Sequence, residues 1–387
     1  MPNHHSIALA SLLSVLCAVG ATIPANGQVI PGAPYGGSLE AYYQTWDIDE
    51  GSGTTSISQT YVPVNVFLPF TDRFEAKLSS AYVSMTRDND FDSSQSVSGL
   101  ADVKVQADAS FLERRLIVGL VANLPSGQAE LTGVEQDVVF DFVSPDLSVR
   151  TNRLGEGFNF GGTVSFANAL SPTVTLGLGA SVLSRGAYDT SLPGSSSLIH
   201  LSPGIEARAS TTLDVLAGSS IFRLSSILAT YGTEKVNEVD YYRIGQEWTI
   251  AADYMVGYAM GRGQFSFGVS ELLRFHNSVR SNGSFGTEAA STNGNYLVVS
   301  TLNDYQVSPR LRVEVTAVGR LVGANDFNVG DSKVWEGGLG ATLLPSDNIA
   351  LTLGGRYITG SGTGFSGRDR SITGMEGMFR TVIRISR

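Results

Sequence analysis

DVKVQADASFLERRLIVGLVANL, residues 102–124, reads as two extended runs joined by a tight polar corner. In the first run Asp102, Lys104, Gln106 and Asp108 share one parity, while Val103, Val105, Ala107, Ala109 and Phe111 share the other. Successive side chains of a strand point to opposite faces, so this is a strand with one wet face and one oily face. In a soluble β protein the oily face makes the core. In a membrane barrel it meets lipid and the wet face lines the inside. The fold turns on which face points inward.

The same rhythm runs along the chain. Short corners at FTDR (70–73), LERR (112–115), LSPT (170–173), LDVL (213–216), GRGQ (261–264), VSPR (307–310) and PSDN (345–348) separate strand-like runs. Longer polar segments fall between them, at 49–53, 88–97, 126–156, 188–197, 232–238, 281–294, 325–332 and 360–371. This alternation predicts a closed antiparallel β-barrel of about 16 strands, with about 14 to 18 as the range, from Ser38 to Ile385. Short turns then lie on the periplasmic side and long loops outside. A barrel of this size leaves a lumen too wide for side chains to fill, so an oily face turned inward would sit in water. The oily face therefore points out, into a membrane. In 116–124 both parities are apolar, and Glu271 falls on the lipid parity. Either a bulge shifts the register at these places or the strands lie elsewhere.

The N-terminus predicts a leader. SIALASLLSVLCAVGA (6–21) is apolar and uncharged, and Ala25 and Gly27 fit a small-x-small cleavage site before Gln28. The domain reading is a signal peptide over 1–27, a short periplasmic lead over 28–37 and a barrel over 38–387. After Gln28 no apolar run is long enough for a spanning helix. Cys17, in the leader, is the only cysteine, so the mature chain would carry no disulfide or cysteine-metal site. The 387 residues are 42% hydrophobic and 16% charged, with a net charge of -10. That balance argues against a nucleic-acid partner, because phosphates need a basic face. The expected partners are outer-membrane lipid and a small-molecule solute, and no cofactor or metal motif is present.

The wet parity supplies candidate lumen-lining charges: Glu75, Lys77, Asp102, Lys104, Asp108, Arg243, Glu247, Arg312, Glu314, Arg320, Arg380 and Arg384, with Glu206, Arg208 and Arg356 beside them. They suit either a selectivity lining or cross-strand ion pairs that stiffen the wall, and the second reading fits most of them better. Aromatic clusters such as Tyr42, Tyr43 and Trp46 suit interfacial girdles. The loop 126–156 is unusual, because VEQDVVFDFV carries apolar residues that need cover. Val138, Val139, Phe140 and Phe142 are the candidate gating residues of a loop that folds inward or caps the mouth, next to an oily inner patch at Ile117 and Val121. His200-x-Ser202 raises a barrel lipid hydrolase as a weaker alternative, with no acid beside it in an obvious role. A barrel with a blocked lumen, structural or surface-exposed, is the other alternative. The expected activity is passage of solutes without chemistry.

PFTDRFE (69–75), then Gly99, Leu100 and Asp102, then Leu124, Pro125, Ser126 and Gly127 resemble Gram-negative outer-membrane proteins of the phenol meta-pathway and aromatic-uptake type, and distantly the long-chain fatty-acid transporters. The resemblance covers residues 60–130 and implies a channel for hydrophobic or aromatic small molecules. The chain departs from it in having a lead in place of a longer N-terminal hatch, and in ending on Ile385-Ser386-Arg387 where such barrels end on an aromatic residue.

Overall fold

The computed structural model describes residues 35–385 apart from 52, 91–92, 145, 192–196, 282 and 365–366. The expected leader and residues 28–34 of the expected lead lie outside the described residues. In chain order the first strands are β1 (Tyr35–Asp49), β2 (Thr54–Pro69), β3 (Phe74–Asn89), β4 (Gln95–Leu100), β5 (Val103–Phe111) and β6 (Leu116–Leu124). A helix, α1 (Gly133–Asp141), follows in the long loop. Then come β7 (Asn159–Ser171), β8 (Val174–Arg185), β9 (Tyr188–Ser191), β10 (Leu198–Ser202), β11 (Glu206–Ala217) and β12 (Ser220–Tyr231). The next are β13 (Glu234–Val236), β14 (Val239–Arg243), β15 (Glu247–Tyr258), β16 (Gly263–Arg274), β17 (Ser278–Ser281) and β18 (Ser284–Thr287). The chain ends with β19 (Tyr296–Ser308), β20 (Leu311–Val322), β21 (Ser332–Ser346), β22 (Ile349–Thr363) and β23 (Asp369–Ile385).

The wall is a closed barrel of 16 antiparallel strands. It closes where β1 pairs with β23, Tyr35 opposite Ile385 and Asp49 opposite Ser371. β4 and β5 occupy one place in it, since both pair with β3. Two residues of β3, between Tyr82 and Ser79, face three of the partner, between Leu100 and Lys104. This one-residue slip is a bulge, and it puts Asp102 on the inside without disturbing the parity of β5.

Large apolar side chains are exposed on one parity of the wall strands: Leu39, Val64, Val118, Val164, Leu339 and Leu353 are examples. The opposite parity holds Glu75, Asp108, Glu336 and Glu376, all buried. An outward oily face and an inward polar one make this a transmembrane β-barrel of the outer-membrane type, with tight turns at one end and long connections at the other. Among the described residues no helix is long and apolar enough to cross a membrane.

Several details differ from the sequence expectation. The corner expected at 213–216 lies inside β11, and the chain turns instead at Gly218, whose φ of +61° suits glycine. Asp214 looked like a turn residue because it is polar, but it faces inward and takes two hydrogen bonds from Arg223 at 2.7 and 2.9 Å. Both apolar parities of β6 are real: its register with β5 and β7 is regular, Leu120 is exposed and Val121 is buried. Glu271 also sits in regular register, opposite Ile250 and Leu297, and is exposed toward the outer end of β16. The expected polar segments 188–197, 232–238 and 281–294 are partly structured. β9, β10, β13, β14, β17 and β18 form a separate six-stranded sheet at the long-loop end. Tyr42 and Trp46 are buried on the inner side and are no part of an outer girdle; of that cluster, Tyr43 is exposed.

Candidate solute path and its plug

The loop after β6 enters the barrel. α1 starts with a capping box: the Thr132 hydroxyl accepts from the Glu135 amide at 3.3 Å, and the Glu135 carboxylate accepts from the Thr132 amide at 2.7 Å. Those bonds hold the Glu135 carboxyl below its usual range against the opposing effect of burial. The helix and the residues after it bury Val138, Val139, Phe142, Leu147 and Leu154. Their cover is the inner wall near the long-loop end, namely Trp46, Ile57, Val83, Met85, Val334, Ile358 and Ile372. Phe142 meets Trp46 edge-on, with ring centroids 6.2 Å apart. The seat is thus β1–β4 and β21–β23. The expected seat on Ile117 and Val121 is not used, and neither belongs to this cluster. Phe140 is half-buried and also stands outside it.

Nearer the short-turn end, the same inward parity changes from apolar to polar. On β1, Trp46 gives way to Gln44; on β23, Ile372 gives way to Glu376. Glu376 accepts from Arg150 of the loop, from Arg356 Nε at 2.8 Å and from Gln44 Nε2 at 2.7 Å. Arg356 also reaches Glu336 at 3.0 Å, and Glu336 pairs with Arg320. Charges thus alternate across four wall strands and end on the loop. Arg150 further lies over the Tyr42 ring, 4.0 Å from its centroid. Gln59 bonds the Arg150 amide at 2.9 Å, and Arg370 reaches Asp146 at 2.5 Å. Sequence reasoning passed over Arg150, Glu336, Glu376, Gln44 and Gln59. The apolar-to-polar change along one parity was the available signal, and Thr132-x-x-Glu135 was the signal for the helix.

The two motif fragments Gly99-Leu100-x-Asp102 and Leu124-Pro125-Ser126-Gly127 meet at the base of the loop. Asp102 Oδ1 accepts from the Gly127 amide at 2.9 Å and Oδ2 from the Glu156 amide at 2.7 Å, so one carboxylate holds both ends of the loop. The Ser126 hydroxyl accepts from the Val103 amide at 2.8 Å. A Cβ at Gly127 would collide with the backbone of Leu154, Asp102 and Leu100, so only glycine allows this approach. Burial works against ionisation of Glu156, but Arg153 and Arg185 hold its carboxyl below the usual range. Asp141, at the end of α1, is pushed up to about 6 by burial, although Arg87 stands 2.9 Å away and opposes the shift.

The remaining candidate residues fall as follows. Lys77 lies 3.0 Å from Glu75 and 3.4 Å from Asp108 on the inner wall. Glu247 takes a bond from Tyr231 at 2.7 Å and faces Arg274 at 3.3 Å. Arg312 faces Asp304 at 3.4 Å, Arg380 faces Glu40 at 3.2 Å, and Glu314 is exposed on the same parity of β20 as Arg312. Arg243 is not on the wall: it lies on β14 of the smaller sheet, because β15 begins four residues later. Lys104 and Arg384 line a cavity of about 720 Å³ in the short-turn half of the barrel.

His200 lies on β10, also in the smaller sheet. An acid does stand beside it: its Nδ1 is 2.7 Å from Asp189. Its Nε2 faces Glu238 at 3.9 Å. Both ring nitrogens are thus turned to carboxylates. Among the described residues no group of His, Cys, Asp and Glu is placed to hold a metal ion.

No protein-family model and no curated protein matches the chain. Solved structures of similar outline include the high-pH structure of OprB from Pseudomonas putida, at 10% identity over 90% of this chain and 94% of that one, TM-score 0.49. The outer membrane channel DcaP of Acinetobacter baumannii is similar at 12% identity over 90% and 96%, TM-score 0.43. The toluene transporter TodX of Pseudomonas putida is similar at 7% identity over 92% and 91%, TM-score 0.42. At these values the likeness carries no argument about a solute.

Proposed function

We propose that the protein is an outer-membrane channel for small, hydrophobic or aromatic molecules, narrowed by the loop 126–156. The observation that carries the reading is the inward seat of that loop. Val138, Val139 and Phe142 find apolar cover on the inner wall, while Arg150 and Asp102 tie the loop to the wall by polar bonds. A wall this wide does not need a folded segment for its own stability, and a segment fixed mainly by one apolar seat and a few polar ties suits control of passage. The hydrophobic or aromatic nature of the solute is taken from the resemblance of residues 60–130 and from the apolar patch beside the charged row on β20–β23. Cleavage before Gln28 belongs to the same reading.

The test is single-channel recording in planar bilayers on the mature protein and on a variant lacking residues 130–150. Larger unitary conductance in the deletion, with uptake of toluene altered in cells, supports the reading. Unchanged conductance, with residues 138–142 cleaved by protease on whole cells, would favour a structural barrel.

A further inference from the structure

The chain as a whole is acidic, with a net charge of -10, yet the cavity of about 720 Å³ in the short-turn half has the opposite sign. Among the described residues its lining includes Lys77, Lys104, Arg380 and Arg384 and no carboxylate. Two of these cations are neutralised from outside the cavity. Lys77 is shared by Glu75 and Asp108, and Arg380 by Glu40. For Lys104 and Arg384, no carboxylate lies within ion-pair distance among the described residues. A smaller cavity of about 300 Å³ adjoins through Lys104, Ser79 and Asn65, and it does contain Asp102 and Glu156. Both are already engaged. Asp102 accepts two backbone amides, and Glu156 accepts from Arg153 and from Asn159 at 2.9 Å. The surplus of positive charge therefore stays at Lys104 and Arg384.

We infer that this cavity is a binding site for small organic carboxylates, whose charged end meets Lys104 and Arg384 and whose apolar body lies against Phe67 and Val382. Two cations with no carboxylate at ion-pair distance among the described residues, beside a low-dielectric wall, attract an anion and repel a cation. Ser38, Asn65 and Gln106 add neutral polar groups to the same lining. Phe67 is held beneath Lys77, whose ammonium is 5.9 Å from the ring centroid, and offers an aromatic surface to a flat solute. The volume suits a molecule of one or two rings. This deepens the channel reading and rests on it for the route by which the solute arrives. It narrows the solute from neutral hydrophobic molecules to amphipathic acids.

Benzoate is the probe and benzyl alcohol its neutral counterpart. Binding of each to the detergent-solubilised mature protein is measured by calorimetry, and reversal potential in a KCl gradient is measured in planar bilayers. The double variant Lys104→Gln/Arg384→Gln is compared with wild type and with Arg280→Gln, on β17 of the smaller sheet, whose guanidinium donates to the backbone carbonyls of Asp240 and Gly283 away from the cavity. Heat-modifiable migration on SDS gels verifies that all three fold. The expected result is anion preference and benzoate binding in wild type and Arg280→Gln, with benzoate affinity at least about tenfold weaker and anion preference lost in the double variant. Benzyl alcohol should bind more weakly than benzoate and be indifferent to the change. A conducting wild type that binds benzoate no better than the double variant overturns the inference and leaves the channel reading standing. Charge-dependent benzoate binding by a protein that does not conduct upholds the site and removes the channel reading.

Discussion

Arg150, on the loop, forks onto Glu376, on the last wall strand, with Nε at 2.9 Å and Nη2 at 2.7 Å from its carboxylate oxygens. Glu376 is almost fully buried and Arg150 about a third exposed, at side-chain values of 3% and 31%. Two bonds in fixed geometry orient as well as attract, and they connect the inserted loop to the wall.

Glu376→Gln should loosen this tie. The amide keeps one acceptor but loses its charge, leaving Arg150 and Arg356 to repel each other. The expected cost is on the order of 1–3 kcal/mol to the docked loop. Conductance should become larger or noisier while heat-modifiable migration is retained. A trace identical to wild type would mean that the pair stiffens the wall and has no part in passage.

Asp102→Asn should act at the base of the loop. Asparagine offers one carbonyl where the aspartate offers two acceptors, so one of the amides of Gly127 and Glu156 is left without its partner. Hydrogen exchange should quicken by about tenfold at whichever of the two amides loses its acceptor, while amides of β3 and β6 remain protected. Equal quickening across the barrel would show that Asp102 supports the wall itself.

Leu339 and Leu353 are each 67% exposed on the outer parity, and Thr342 and Thr352 bond each other at 2.9 Å on the inner one. Leu339→Arg should lower barrel stability by about 2–4 kcal/mol near the membrane midplane, and Thr342→Arg by far less. Urea unfolding into and out of lipid vesicles gives both values. Equal losses would reverse the assignment of inside and outside.

The seat of α1 should depend on pH. The Asp141 carboxyl titrates higher in the folded loop, at about 6, than its ordinary value of 3.8. A raised acid favours the folded state when protonated, so this contribution is complete below about pH 4 and fades as pH rises to about 6. Limited proteolysis of the loop should therefore be faster at pH 7.5 than at pH 5. Asp141→Asn should flatten that difference; a difference of the same size in the variant would assign the effect to another group.

The wall was legible because each strand repeats one simple alternation and lipid enforces it along the whole strand. Glu75, Lys77, Asp108, Arg320 and Arg380 all fall on the polar parity that periodicity gives. Placement failed where context outweighs alternation. Asp214 passed for a turn residue because its partner Arg223 lies nine positions away on the next strand. Arg243 passed for a wall residue because β14 continues the parity of β15 across the break at Gly245. The inward fold of the loop was legible from its oily residues, but its seat was not. Trp46 and Phe142 are 96 positions apart, and nothing local to either announces the other.

Among the described residues the six-stranded outer sheet, unlike the wall, ends at two edge strands, β9 and β18, of four residues each. β9 is also held to the loop base, where the Ser191 hydroxyl donates to the Leu131 carbonyl at 2.7 Å. A neighbouring chain seeking to extend this sheet would find only a few residues of backbone at either end, too little to nucleate a shared strand. Barrels crowded side by side in one membrane can therefore raise these sheets above the surface without zipping into filaments.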